Sequence, residues 1–193
     1  HDPDTLVTVG FGPHSAYALP LELCSEVASA ARDLDALLHI HVCETQDEGA
    51  ALEAQHGGKS TIEILAQHGI LDGKVLAAHS VWLNETDMEI YAQKRVRVAH
   101  CPVSNMKLAS GTAAIQAMRA KGIDVGLGTD GPASNDDLDL WQEIKISPLL
   151  ARVTELDASS MTPQDALTMA TVEGSRAIGN DDSGTLQIGA KAD

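Results

Sequence analysis

Aromatic residues are almost missing from this chain, which has two Trp, two Tyr and one Phe among 193 residues. A core must therefore be packed from Ala, Leu, Ile and Val. The hydrophobic fraction of 44% is ordinary for a globular protein and argues against disorder. Positive charge is also short, with 13 Lys and Arg against 28 Asp and Glu and a formal net charge of −15. That balance argues against a nucleic-acid backbone or an anionic membrane as partner, though not against a small uncharged nucleoside. Cysteine is limited to Cys24, Cys43 and Cys101, with no C-x-x-C pair. This usage, with no signal peptide, predicts a reduced, cytoplasmic protein. No apolar run approaches the length of a membrane span. Neither G-x-G-x-x-G nor a Walker A sequence is present, which weighs against an open nucleotide-binding sheet.

What the chain does have is a stretch from Leu37 to Thr45, apolar and β-branched but carrying His39, His41 and Glu44. Side chains alternate along a strand, so the two imidazoles share a face and must meet something polar if buried. Taken alone, the stretch fits hydrogen-bonded core histidines as well as it fits a site.

The pattern repeats. Strands are predicted at Leu6–Phe11, 37–43, Lys74–Val81, Val96–His100 and Ile123–Gly128. Helical spacing is predicted over Glu22–Asp33, Asp47–Gln55, Ser60–His68 behind a capping box, and a helix capped by Asn84. Further helices are predicted over Thr112–Lys121, Leu138–Leu156 with a kink or break at Pro148, and Thr162–Ile178. The stretch after Cys101 reads as a loop, and Gly184–Gly189 as an extended segment. Alternating β and α elements imply a parallel sheet with helical crossovers.

Each predicted strand leads to a metal-capable or ionisable side chain at its C-terminal end: His14, His41 with Glu44, His79, His100 and Asp130. Polar groups at the ends of several different strands fit the mouth of a (β/α)₈ barrel, where such ends converge. Imidazoles with carboxylates suit zinc, iron or a similar divalent metal. A closed barrel takes roughly 250 residues, so this chain is too short to close one.

Four motifs carry a resemblance: Leu38–Thr45, Ala77-Ala78-His79, His100–Leu108 and Leu127–Asn135. With Phe11-Gly12-Pro13-His14-Ser15, they resemble the amidohydrolase superfamily. The nearest branch is the methylthioadenosine/S-adenosylhomocysteine deaminases, with triazine chlorohydrolases as neighbours. The resemblance implies the C-terminal part, strands 4–8, of a distorted (β/α)₈ TIM barrel of the metal-dependent hydrolase type. Residues 1–180 would be partial barrel and residues 181–193 the start of a return to a small β-sandwich, so a fragment is expected. The H-x-H of the family's first strand, which supplies two metal ligands, is expected outside it.

The resemblance also implies roles. His41 and Asp130 match metal ligands, and Asp130 also takes a proton from the attacking water. Glu44 matches the acid that protonates the ring nitrogen, and His79 the histidine that orients metal-bound hydroxide. His14 and Ser134 match substrate contacts. His100 is expected in the pocket or behind it. The implied cofactor is one divalent ion, zinc first and iron as the alternative. His39 is read as structural, His56 and His68 as surface, and Cys43 and Cys101 as packing. Trp82 and Trp141 are read as core, with the pocket lining as the alternative, and Asp136, Asp137 and Asp139 as a solvated helix start.

The expected activity is hydrolytic deamination of an adenosine-type nucleoside: S-adenosylhomocysteine, methylthioadenosine or 5′-deoxyadenosine. The alternatives are hydrolysis of a chlorotriazine, pterin or guanine-like ring, or a non-catalytic truncated barrel. The isolated chain is expected to be inactive. Its partner is expected to be a small molecule, with no nucleic acid and no membrane, and a homo-oligomer is left open.

Overall fold

Leu38, Ile40 and Val42 are buried while His39 is exposed and His41 partly so, and this alternation is β1 (Leu38–Val42). The computed structural model describes residues 7–191. β1 is followed by β2 (Val75–His79), β3 (Arg97–His100) and β4 (Val125–Leu127), all parallel, in the order β1-β2-β3-β4. The register pairs His41 with Ala78, Ala78 with Ala99, and Ala99 with Gly126, so one row of small residues crosses the sheet beside His41. β2 is buried along its whole length, as a central parallel strand with both faces covered should be.

Ten helices are described. α1 (Leu21–Asp33), α2 (Ala50–Gln55) and α3 (Thr61–Gln67) flank β1, and α4 (Glu85–Lys94) joins β2 to β3. α5 (Pro102–Lys107) and α6 (Ile115–Ala120) join β3 to β4, and α7 (Pro132–Asn135), α8 (Leu140–Glu155), α9 (Pro163–Ala170) and α10 (Val172–Ala177) follow β4. The Ser60 capping box forms in full: Ser60 Oγ accepts from Glu63 N at 3.1 Å and Glu63 Oε2 from Ser60 N at 2.8 Å. Asn84 and Asp87 make the same reciprocal pair at the start of α4. The sheet and helices bury Ile40, Val75, Val98 and Val125 against Cys24, Ile62, Leu65, Met88, Met118 and Met169, and Tyr91 is the bulkiest fully buried side chain. Aliphatic and thioether packing thus replaces the missing aromatics. β4 lies so close to α10 that a Cβ on Gly126 would stand 2.8 Å from Gly174 Cα. Two glycines permit that approach, and it seats the strand that delivers Asp130.

Several expectations need correction. Leu6 lies outside the described residues. From 8 to 11 the chain is assigned a parallel bridge from Phe11 to Leu38 and no strand, and Val7 and Val9 are exposed. The stretch after Cys101 is helical, with Pro102 at its first position, where a missing N–H costs nothing. α8 runs through Pro148 unbroken, whereas the helix expected to Ile178 splits at Thr171 (φ −119°, ψ −91°). Residues 184–189 form turns, and Leu186 and Ile188 are fully exposed, so among the described residues no strand pairs with this segment. Trp141 is 72% exposed and Trp82 44%, so neither is a core residue. Among the described residues no helix is long and apolar enough to cross a membrane.

Candidate active site at the strand ends

Backbone conformation marks the C-terminal ends of the strands. Cys43 (φ 50°), His79 (φ 68°) and Asp130 (φ 61°) all occupy the left-handed region that side-chain-bearing residues rarely adopt. Strain of this kind persists where surrounding contacts hold it, and it gathers at functional sites. At His79 it turns the imidazole away from its strand alternation and towards the residues at the ends of β1 and β4.

His79 is 1% exposed. Its Nδ1 lies 2.9 Å from Asn105 Oδ1, and an amide oxygen only accepts, so the Nδ1–H donates and Nε2 faces the site. Nε2 lies 3.7 Å from Glu44 Oε2 and 3.9 Å from Asp130 Oδ2. His41 is fixed the same way: its Nδ1–H donates to the His14 carbonyl at 2.9 Å, leaving the Nε2 lone pair free. A ring anchored through one nitrogen and open at the other is the form in which histidine binds metal. The His14, His41 and His79 rings stack in series, with centroids 4.6 and 5.4 Å apart.

Asp130 uses both carboxylate oxygens. Oδ2 accepts from Ser104 Oγ at 2.8 Å and Oδ1 from Gly131 N at 2.7 Å. Partial burial disfavours its charge, but the Ser104 and Gly131 hydrogen bonds, with His79 and His41 nearby, hold its carboxyl below the usual range. It is an anion at neutral pH. One ligand atom each from His41, His79 and Asp130 lies within 4.8 Å of the others, close enough to share one ion. Two imidazoles and an ionised carboxylate are donors that zinc and similar divalent metals accept.

Of the residues singled out in the sequence, His41, Glu44, His79 and Asp130 come together. His14 is exposed and joins the group through its carbonyl and its ring. Ser134 is partly buried in α7, four residues past Asp130, and is not drawn into the cluster. His39 is exposed, with its ring 6.2 Å from that of His41. Cys43 and Cys101 are buried and burial pushes both thiols up, in keeping with packing.

His100 departs most from a pocket position. It is 2% exposed and, like Val98, lies on the buried side of β3, whereas Arg97 and Ala99 are partly exposed. Its Nδ1 has no hydrogen-bond partner, and burial, with a smaller contribution from His79, lowers its pKa from 6.5 to about 3. Folded His100 therefore stays neutral between those values while the unfolded chain takes up a proton, so stability falls as pH drops through that window. The slope is on the order of 1.4 kcal/mol per pH unit. His100→Leu is expected to flatten it. Denaturant unfolding of the intact protein at pH 7 and pH 5 reads the difference, and equal slopes in variant and wild type would contradict it.

Three residues of the site's support are given no role by the sequence reading, although Ser104 and Asn105 fall within the His100–Leu108 motif. Ser104 and Asn105 stand in a stretch that looked like a loop, yet they hold Asp130 and His79. Glu143, in a helix, is 0% exposed and accepts from Asn135 Nδ2 at 2.6 Å and Val103 N at 3.2 Å. Burial raises its pKa against those hydrogen bonds.

Comparison with known proteins places this arrangement. The chain is 40% identical over 190 residues to a 5′-deoxyadenosine deaminase of Methanothermobacter thermautotrophicus, covering 98% of this chain and 44% of that protein. It is 44% identical, with the same coverage, to a 5-methylthioadenosine/S-adenosylhomocysteine deaminase of Pelotomaculum thermopropionicum. Among solved structures, an adenosine deaminase from Xanthomonas campestris with bound zinc superposes with a TM-score of 0.94 at 34% identity, over all of this chain and 44% of that one. The chain thus spans under half the length of the relatives it matches, and its sheet is a partial barrel. Residues 2–193 match the amidohydrolase family, and with the strand-end histidines and aspartate in place the chain belongs to that family.

Proposed function

We propose that the chain supplies the second half of the active site of a metal-dependent deaminase acting on adenosine-type nucleosides. The observation that carries this reading is the convergence of His41, His79 and Asp130, with Glu44 beside them, at the ends of three parallel strands. The deaminase names of its relatives support the substrate class.

His41 and Asp130 would hold the ion, and the anchored ring of His41 and ionised carboxylate of Asp130 fit that task. A divalent cation there, zinc by preference, supplies Lewis acidity and makes water a nucleophile near neutral pH. The protein's own groups then manage protons. Asp130, kept ionised by Ser104 and Gly131, accepts the proton that water gives up on attack at the aminated ring carbon. Glu44 protonates the adjacent ring nitrogen, drawing electrons away from that carbon. His79 stands between the two carboxylates, and its fixed Nε2 orients the attacking oxygen. As the carbon–nitrogen bond breaks, the proton held by Asp130 passes to the departing amine, the proton left on the attacking oxygen is lost as the ring carbonyl forms, and Glu44 regains the one it gave, giving the inosine analogue and ammonia.

The test is ammonia release by the intact, zinc-supplied protein from 5′-deoxyadenosine, methylthioadenosine, S-adenosylhomocysteine and guanine, with chloride release from a chlorotriazine measured alongside. Turnover of a nucleoside that is abolished by chelation and restored by zinc is expected. Turnover of the chlorotriazine or guanine alone would replace the substrate assignment, and no turnover of any would remove the enzyme reading.

A further inference from the structure

Glu143 stands outside the cluster of His41, His79 and Asp130 but is hydrogen-bonded to two segments that lead into it. It lies in the first turn of α8, whose N-cap is Asp139. Its Oε2 accepts from the N–H of Val103, the residue before Ser104 and Asn105. Ser104 Oγ donates to Asp130 Oδ2 and Asn105 Oδ1 receives the His79 Nδ1–H, so this arm leads to both residues. Its Oε1 accepts from Asn135 Nδ2, which also donates to the Thr129 carbonyl at 2.6 Å. That carbonyl belongs to the peptide bond preceding Asp130. One arm thus fixes the Asp130 side chain and the other its backbone, in a residue whose φ is already strained.

The chemistry of the junction requires a carboxylate. Both groups that meet Glu143 are donors, on two separate elements, so the residue between them must accept twice. A glutamine satisfies one donor and presents its own N–H₂ to the other. Asn135 cannot turn over to compensate, because the Thr129 carbonyl needs its N–H₂. A buried carboxylate is costly, and the two donors that meet it here offset that cost.

We propose that Glu143 is a positioning residue, whose buried carboxylate locks α5 to the 129–135 segment and so sets His79 and Asp130 relative to each other. This rests on the reading of His79 and Asp130 as site residues given above.

The experiment compares wild type, Glu143→Gln and Asn135→Ala in the intact protein. Co²⁺ titration gives affinity and the ligand-field spectrum, and steady-state deamination gives kcat and KM separately. Both variants are expected to weaken Co²⁺ binding about tenfold and to shift the ligand-field bands, as loss of outer support does at metal sites. They should lower kcat about tenfold or more with KM within twofold. A change in stability alone would leave the band positions where they are. A folded Glu143→Gln protein with wild-type cobalt affinity, spectrum and kcat overturns the inference. If that variant does not fold, Asn135→Ala decides by the same criteria, since it cuts only the arm to Thr129. A wild type that binds Co²⁺ but deaminates no nucleoside defeats the functional reading, and the cobalt spectra still decide the role of Glu143.

Discussion

Asp130→Asn in the intact protein is expected to lower kcat for nucleoside deamination by on the order of 10³ to 10⁴, the upper range for loss of a proton-transfer group. Asparagine matches aspartate in shape but takes up no proton, so neither deprotonation of water nor protonation of the amine is served. The local cost is specific too. Asp130 receives two donors, Ser104 Oγ and Gly131 N, on its two oxygens. Asparagine keeps the Gly131 N–H on its one oxygen, and its N–H₂ can donate to Ser104 Oγ only if that hydroxyl turns from donor to acceptor, so the Ser104 bond is reversed rather than removed. Parallel measurement of kcat, zinc content and thermal unfolding separates these effects. A variant that keeps a tenth or more of wild-type kcat would show that Asp130 is not the proton acceptor.

Glu44→Gln should reduce kcat by on the order of 10² to 10³ with a small change in KM. Glu44 Oε2 lies 3.7 Å from His79 Nε2, and its side chain is 13% exposed, so it is sheltered but open to a ligand above the strand ends. Glutamine keeps the shape and can still hydrogen-bond a ring nitrogen, but it cannot transfer a proton to it. The loss should depend on how much the ring needs activation. With 6-chloropurine ribonucleoside, whose attacked carbon is more electrophilic, the penalty should shrink to about tenfold or less. Equal losses on the aminated and chlorinated rings would assign Glu44 to binding or to support of His79 instead.

Four of the predicted strands, and the meeting of His41, Glu44, His79 and Asp130 at their ends, were legible because two simple signals coincide. Period-two burial identifies β1 from Leu38, Ile40 and Val42, and each strand's last polar residue lies where a parallel barrel opens. What sequence did not disclose depends on contacts between distant elements. Ser104 and Asn105 look like loop residues after a proline until α5 packs against α7 and α8. Glu143 reads as an ordinary helix-surface glutamate, and only the packing of α8 on α5 buries it. His100 carries the same strand-end signature as His79, yet the left-handed backbone at His79 turns one ring into the site, while His100 stays on the buried side of β3. That difference lies in a dihedral angle and leaves no mark in residue type. Trp82 is read from sequence as core, with a place in the pocket lining as the alternative. Its Nε1–H instead donates to the Ser110 carbonyl at 2.7 Å, at the same end of the sheet as Glu44, with the ring partly exposed. The edge segment at 8–11 has strand composition but meets β1 through the bridge at Phe11 without being assigned as a strand.

The claim on which the rest depends is that His41 and Asp130 hold a catalytic divalent ion. It is tested most directly by anomalous diffraction at the zinc edge from crystals of the intact, zinc-supplied protein. The expected result is a single strong peak about 2.0–2.2 Å from both His41 Nε2 and an Asp130 carboxylate oxygen, with His79 Nε2 beyond bonding distance. A peak bonded to His79 as well would make His79 a ligand and end its role in orienting water. No peak between His41 and Asp130 in a protein that still deaminates would contradict the metal assignment itself.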